Sequence, residues 1–327
     1  MVPSFRLNWL LALLCLCAAS PAYTSPPAPQ RPTASEPITP IPPATALDPR
    51  RVALGEQLFN DPRLSGDTTR TCVACHDTRT NGASAAAHDP TPDGRPNRLN
   101  TPTVFNTALN FRQNWEGDLR TLEAQAEQAL RSPDTMATTP DQVLARLRAD
   151  PAIVREFRQA YGRGPDRADL LDAIATYERS LLTPGGRFDR WLGGDRAAIS
   201  GQEYAGYQLF KSLGCISCHQ GVNVGGNLYQ RHGIFHPLAA PRPEILRVPS
   251  LRNVALTPPY FHDGSAATLA DAVKAMGYAQ LDLVLTRRQT ADIVAFLETL
   301  TGRYRGRLLA EATAATGGST PVRRALR

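Results

Sequence analysis

Apolar residues recur along this 327-residue chain at helical rather than strand spacing. Leu170, Ile174, Tyr177 and Leu181 fall at i, i+4, i+7 and i+11, and Ile293, Phe296, Leu297 and Leu300 at i, i+3, i+4 and i+7. Each set follows a period of about 3.6 residues, so each predicts a helix with one apolar stripe turned to a core. Three start signals repeat one device: Thr139-Pro140-Asp141-Gln142, Ser200-Gly201-Gln202-Glu203 and Thr286-Arg287-Arg288-Gln289 each fit a capping box. Pro184-Gly185-Gly186 ends the first stripe, and Leu192-Gly193-Gly194-Asp195 marks a domain junction near residue 195. Strand alternation is scarce, so the expected fold is mainly α with long irregular loops.

A repeat overlies this pattern. Gly55-Glu56-Gln57-Leu58-Phe59 and Gly206-Tyr207-Gln208-Leu209-Phe210 share G-x-Q-L-F, one unit used twice. Each copy leads into Cys-x-x-Cys-His: Cys72-Val73-Ala74-Cys75-His76, then Cys215-Ile216-Ser217-Cys218-His219. Two cysteines three apart lie on one face of a helical turn, where both thiols reach a porphyrin's vinyl groups and the following histidine reaches the iron. A single copy is also compatible with a zinc clip, but two copies in a duplicated frame predict two covalently held c-type haems on two cytochrome c-like domains.

The ends of the chain support export. Arg6, the apolar run Leu7 to Ala19 and the small residues Ser20-Pro21-Ala22 have the layout of a secretory leader over 1–22, too short for a confident membrane span. Prolines recur through 23–49, which reads as an extended linker. Haem domains at 50–195 and 196–302 follow, then a basic, solvated tail at 303–327. Of six cysteines, Cys15 and Cys17 leave with the leader and the other four belong to the haem motifs, so packing and porphyrin rather than disulfides hold the fold. Formal net charge is +6, and haem propionates offset most of it, which argues against nucleic acid as a partner.

Function turns on the sixth iron position: a strong ligand gives electron transfer and an open position gives catalysis. Met136 and Met276 are the only methionines able to ligate once Met1 is gone, and Met276 closes an amphipathic stretch after the second motif. Among the other imidazoles, His88 stands in a loop that could move it onto and off the first iron. His262 reads as a hydrogen-bonding residue within a tight turn, and His232 and His236 carry no assigned role.

From about Leu54 to Gly302 the chain resembles the bacterial di-haem cytochrome c peroxidases, the family that also holds the methylamine-utilisation protein MauG. The resemblance rests on Asp61-Pro62-Arg63-Leu64-Ser65, Asn100-Thr101-Pro102-Thr103-Val104-Phe105-Asn106, Val248-Pro249-Ser250-Leu251-Arg252-Asn253-Val254 and the stretch Leu256 to Ser265. It implies a peroxidatic haem on His76 and a high-potential haem on His219 and Met276, a position that tyrosine takes in MauG-type proteins. It also implies an electron relay through Trp115, Gln125 beside the distal ligand or peroxide, and calcium held by the Asn100 side chain and the Thr257 and Pro259 carbonyls. The expected reaction reduces hydrogen peroxide in the periplasm with electrons from a monohaem cytochrome c or a cupredoxin, in a chain that often pairs as a homodimer. A MauG-like oxidase of a partner protein and a plain di-haem electron carrier are the alternatives.

One departure stands out. The family places a glutamate over the peroxidatic iron; here Ser132-Pro133-Asp134-Thr135-Met136 puts threonine there, ten residues after Gln125. A hydroxyl orders water but does not carry a proton as a carboxylate does, so turnover is expected to be slow unless the adjacent Asp134 substitutes.

Overall fold

The computed structural model describes residues 27–33, 35–43 and 45–315; the predicted leader and residues 316–327 lie outside the described residues. The first half runs α1 (Pro49–Phe59), α2 (Cys72–Cys75), α3 (Leu122–Arg131), α4 (Pro140–Arg148), α5 (Pro151–Tyr161) and α6 (Arg167–Ser180). The second runs α7 (Arg187–Leu192), α8 (Gly201–Ser212), β1 (Tyr229–Arg231), β2 (Ile245–Arg247), α9 (Leu269–Leu281) and α10 (Arg287–Glu298). A short end piece adds β3 (Arg303–Tyr304), β4 (Arg307–Leu308) and α11 (Leu309–Ala315). β1 pairs antiparallel with β2, and β3 with β4, so the molecule is mainly α with long loops.

Both predicted stripes are core: all eight residues are 3 % exposed or less. Leu170, Ile174, Tyr177 and Leu181 join one apolar cluster with α1, and Ile293, Phe296, Leu297 and Leu300 join a second with α7 and α8. The three capping boxes form as expected at Thr139, Ser200 and Thr286.

The repeated G-x-Q-L-F has a steric cause. α1 crosses α6 at Gly55, where a Cβ would overlap the Ala173 carbonyl; α8 crosses α10 at Gly206, where it would overlap the Asp292 carbonyl. Only glycine lets these backbones approach so closely. Gly206→Ala is therefore expected to destabilise by about 1–3 kcal/mol, the cost of overpacking, although alanine gains helix propensity. Thermal unfolding checks this, and a neutral or raised midpoint would contradict the close crossing.

A second internal correspondence joins the halves. Asn106 and Asn253, each closing a Pro-x-x-x-Asn stretch, adopt left-handed backbone at φ 63° and 60°. Asn106 Nδ2 donates to Thr183 Oγ1 (2.8 Å), and Asn253 Nδ2 donates to the same hydroxyl (3.0 Å). One buried threonine between the domains thus receives an asparagine from each.

Two sequence expectations change. The proline-rich stretch is not a free linker: Ile38 and Ile41 are buried, Glu36 accepts from Tyr207 and Lys211, and Trp191 Nε1 donates to the Gln30 carbonyl (2.9 Å). An extended chain offers backbone carbonyls at every residue, and the C-terminal domain binds several of them. Nor is the segment from 303 onward simply a solvated tail. Arg303, Arg305 and Arg307 are exposed, but Arg305 pairs with Glu56, Tyr304 packs edge-on against Phe105 and Leu309 is buried in the N-terminal core.

Candidate active site

Each haem motif is built at the end of a short helical turn. His76 follows α2, and its Nδ1 lies 3.2 Å from the Gly82 carbonyl; His219 Nδ1 lies 3.3 Å from the Val224 carbonyl. Donation from Nδ1 to a carbonyl fixes the tautomer and leaves Nε2 with a lone pair for a metal. Burial pulls His76 below its usual range and His219 down to about 4, so both rings are neutral, the form that ligates.

The cysteines point to the same group. Burial raises Cys72 to about 12 and both Cys75 and Cys215 to about 11, so they stay thiols. Zinc requires thiolate, whereas thiols suit thioether formation with vinyl groups. All four are unpaired with one another.

His76 and Cys72 line a cavity that lies among α1, α3 and α6. Apolar walls come from α1, α3 and α6, including Phe59, Ala126, Leu130 and Ile174. The polar contribution is small: Gln125, Gln113, Asn110, Asn114, Glu178 and Arg247. The apolar lining, the neutral imidazole and the adjacent thiols suit a porphyrin.

Gln125 and Met136 are therefore brought to the cavity. Thr135 and Asp134 are not among its lining residues. The Thr135 hydroxyl donates to the Ala129 carbonyl (2.5 Å), closing the end of α3, and Asp134 is exposed. His88 also lies off the lining, with its Nδ1 buried and without a hydrogen-bond partner.

Trp115 sits between the two halves. Its Nε1 donates to the Asn100 carbonyl (2.8 Å), its own carbonyl accepts from Arg247 N–H (2.8 Å), and its ring meets His262 edge-on. His262 does not bond within its own turn: its Nε2 reaches the Ala240 carbonyl at 3.1 Å, across to another loop. The other imidazoles are engaged elsewhere, His232 with the Pro243 carbonyl and His236 with Asp282.

The loops carrying Asn100 and Thr257 to Pro259 are held together. Asn100 N–H donates to the His262 carbonyl (2.8 Å), and its Nδ2 donates to the Ala86 and Ala87 carbonyls, which turns Oδ1 away from them. Met276 lies half-buried on α9, which packs against α10.

Two site residues escaped sequence reasoning. Glu178 on α6 is 5 % exposed, and burial raises it to about 8. Arg247 on β2 is 6 % exposed, and burial lowers it to about 10, while its Nε donates to the Asn114 carbonyl. A signal existed for the first: Glu178 falls four residues after Ile174, inside the apolar stripe. Arg247 is a buried cation suited to a haem propionate.

Two c-type haem motifs on two helical units, one facing a cavity lined by His76, Cys72 and apolar side chains, define a di-haem c-type cytochrome. A family model described as di-haem cytochrome c peroxidase matches residues 49–197, and a cytochrome c model matches 204–301. The cytochrome c551 peroxidase of Nitrosomonas europaea is 38% identical over 82% of this chain and 85% of its own. The methylamine utilization protein MauG of Methylorubrum extorquens is 32% identical over 80% of this chain and 81% of its own. A solved MauG-like protein associated with microbial copper homeostasis superposes with a TM-score of 0.70 at 25% identity, covering 87% of this chain and 97% of that one. The chain belongs to the di-haem cytochrome c peroxidase family, whose members carry two c-type haems.

Proposed function

We propose that this protein is a peroxidase that reduces hydrogen peroxide to water with electrons from a small soluble redox protein, such as a monohaem cytochrome c or a cupredoxin. The observation that carries this reading is the His76 cavity, where a neutral imidazole held through Nδ1 shares a mainly apolar space with Gln125. Haem bound there supplies the redox chemistry. His76 would hold the group through Nε2 and Cys72 and Cys75 would bind it covalently, while Gln125 would offer an amide to bound peroxide and Arg247 would balance propionate charge. Apolar walls exclude bulk water, which strengthens every polar contact inside.

At the other site His219, Cys215 and Cys218 would hold the second haem, and Met276 would be its thioether ligand, which would make it an electron store. Trp115, bonded to Asn100 and in contact with His262, relays electrons between the halves. Asn100 Oδ1 and the Thr257 and Pro259 carbonyls would hold a calcium ion, for which oxygen donors are suited, and so would fix the loops beside Trp115. His88 acts as a removable ligand in the oxidised resting form. The leader directs the chain to the periplasm, where it pairs as a homodimer. Among the described residues, no helix is long and apolar enough to cross a membrane.

One-electron reduction followed by spectroscopy tests the reading. The His76 haem is expected to become high-spin and to turn over peroxide while the His219 haem stays low-spin. Two haems low-spin throughout, with no turnover, would identify an electron carrier instead.

A further inference from the structure

Thr135 leaves the expected proton carrier missing, yet the cavity contains a carboxyl from another helix. Glu178 projects from α6 into the lining that also holds His76, Cys72 and Gln125. It is only 5 % exposed, and its Oε2 has no hydrogen-bond partner. The neighbouring arginine does not rescue it, because Arg179 is drawn to Glu123 and Asp172. A buried, unpartnered carboxyl is costly, and natural folds keep such groups mainly where chemistry uses them.

We propose that Glu178 is the proton-handling residue of the His76 cavity and replaces, from α6, the acid that Thr135 lacks on the α3 side. This rests on the peroxidase reading above. Hydrogen peroxide, two electrons from the donor protein and two protons give two waters. The proton leaving the peroxide oxygen nearest the iron passes to the Glu178 carboxylate and from there to the departing oxygen as the O–O bond breaks, so that oxygen leaves as water. The oxygen left behind takes the two donor electrons and two protons from solvent to become the second water. Burial places the group near neutrality, so both of its protonation states are populated at working pH. The charged and titratable groups around it are Cys72 from α2, Glu123 from α3, Arg179 on its own helix, and His76 and Arg247 along the cavity.

The test uses the di-haem holoprotein after one-electron reduction. Hydrogen cyanide must give up its proton to bind iron, so its association rate reports a cavity base without any turnover. Glu178→Gln is expected to slow cyanide association and to lower kcat/KM for peroxide by about 10²–10⁴-fold, the usual worth of a positioned acid or base. Haem spectra and melting temperature should be unchanged. Glu178→Met, which fills similar volume without a buried carboxyl, should behave alike and guards against a folding failure of the amide. Thr135→Glu in the wild-type background should gain little, because the proton already has a carrier. Wild-type cyanide rates in both Glu178 variants, or a large gain from Thr135→Glu alone, would overturn the assignment. If the wild type turns over no peroxide, the peroxidase reading fails, while cyanide association still decides the role of Glu178.

Discussion

Met276→Leu is expected to lower the potential of the C-terminal haem by on the order of 100 mV, well inside the ~0.8 V that axial ligation spans. Leucine keeps the volume and apolarity of methionine on α9 but removes the thioether, so a change in potential reports ligation rather than packing. For one electron, ~59 mV is a factor of ten in the equilibrium, so electron uptake from a high-potential donor falls by roughly fifty-fold. Peroxide turnover with that donor should fall in step, whereas turnover driven by a strong low-potential reductant should survive, because the His76 cavity is untouched. Redox titration and steady-state assays with both reductants check this. An unchanged potential would remove Met276 from the ligand set and return its half-buried position on α9 to ordinary packing.

What the sequence made legible was whatever acts locally or by repetition. Stripes of period 3.6, capping boxes and Cys-x-x-Cys-His each state their geometry within a dozen or so residues, and helices and haem turns stand where they were expected. The G-x-Q-L-F repeat was readable as duplication, but its reason, glycine at a helix crossing, needed the partner helix. The misread segments depend on partners far along the chain. Residues 30–41 lack apolar periodicity because their contacts run through carbonyls and two isoleucines, so proline content alone suggested a linker. The return at β3 and β4 depends on Arg305-Gly306, both at positive φ, and on a core formed by residues 54–181, far upstream in the chain. Glu178 was missed for a different reason. A glutamate on an amphipathic helix ordinarily marks the solvated face, and that expectation outweighed its place in the apolar stripe, four residues after Ile174.

Asp189→Asn is expected to cost about 3–5 kcal/mol, the largest stability loss among the substitutions considered, because it leaves a buried guanidinium without its counter-charge. Arg252 and Asp189 side chains are 1 % and 5 % exposed, with Nη1 to Oδ1 at 2.7 Å. Burial alone pulls the guanidinium down, and Asp189 opposes that shift, so the pair is best understood as one charged unit. Its Nε donates to the Val222 carbonyl (2.8 Å) and its Nη2 to the Thr39 carbonyl (2.8 Å), so one arginine ties α7, the loop after the second haem motif and the proline-rich strap. That loop also carries the Val224 carbonyl that receives His219 Nδ1, which couples stability to haem geometry. Asp189→Asn should therefore melt earlier, perturb the His219 haem spectrum before the His76 haem spectrum, and open residues 30–41 to protease. The double variant Asp189→Leu/Arg252→Met removes both charges and should recover much of the stability, since apolar replacement of a buried pair is often neutral. It cannot restore the bonds to Val222 and Thr39, so the strap should remain protease-sensitive even where the melting temperature returns. A double variant as unstable as Asp189→Asn would show that the lost backbone contacts, rather than the unpaired charge, set the cost.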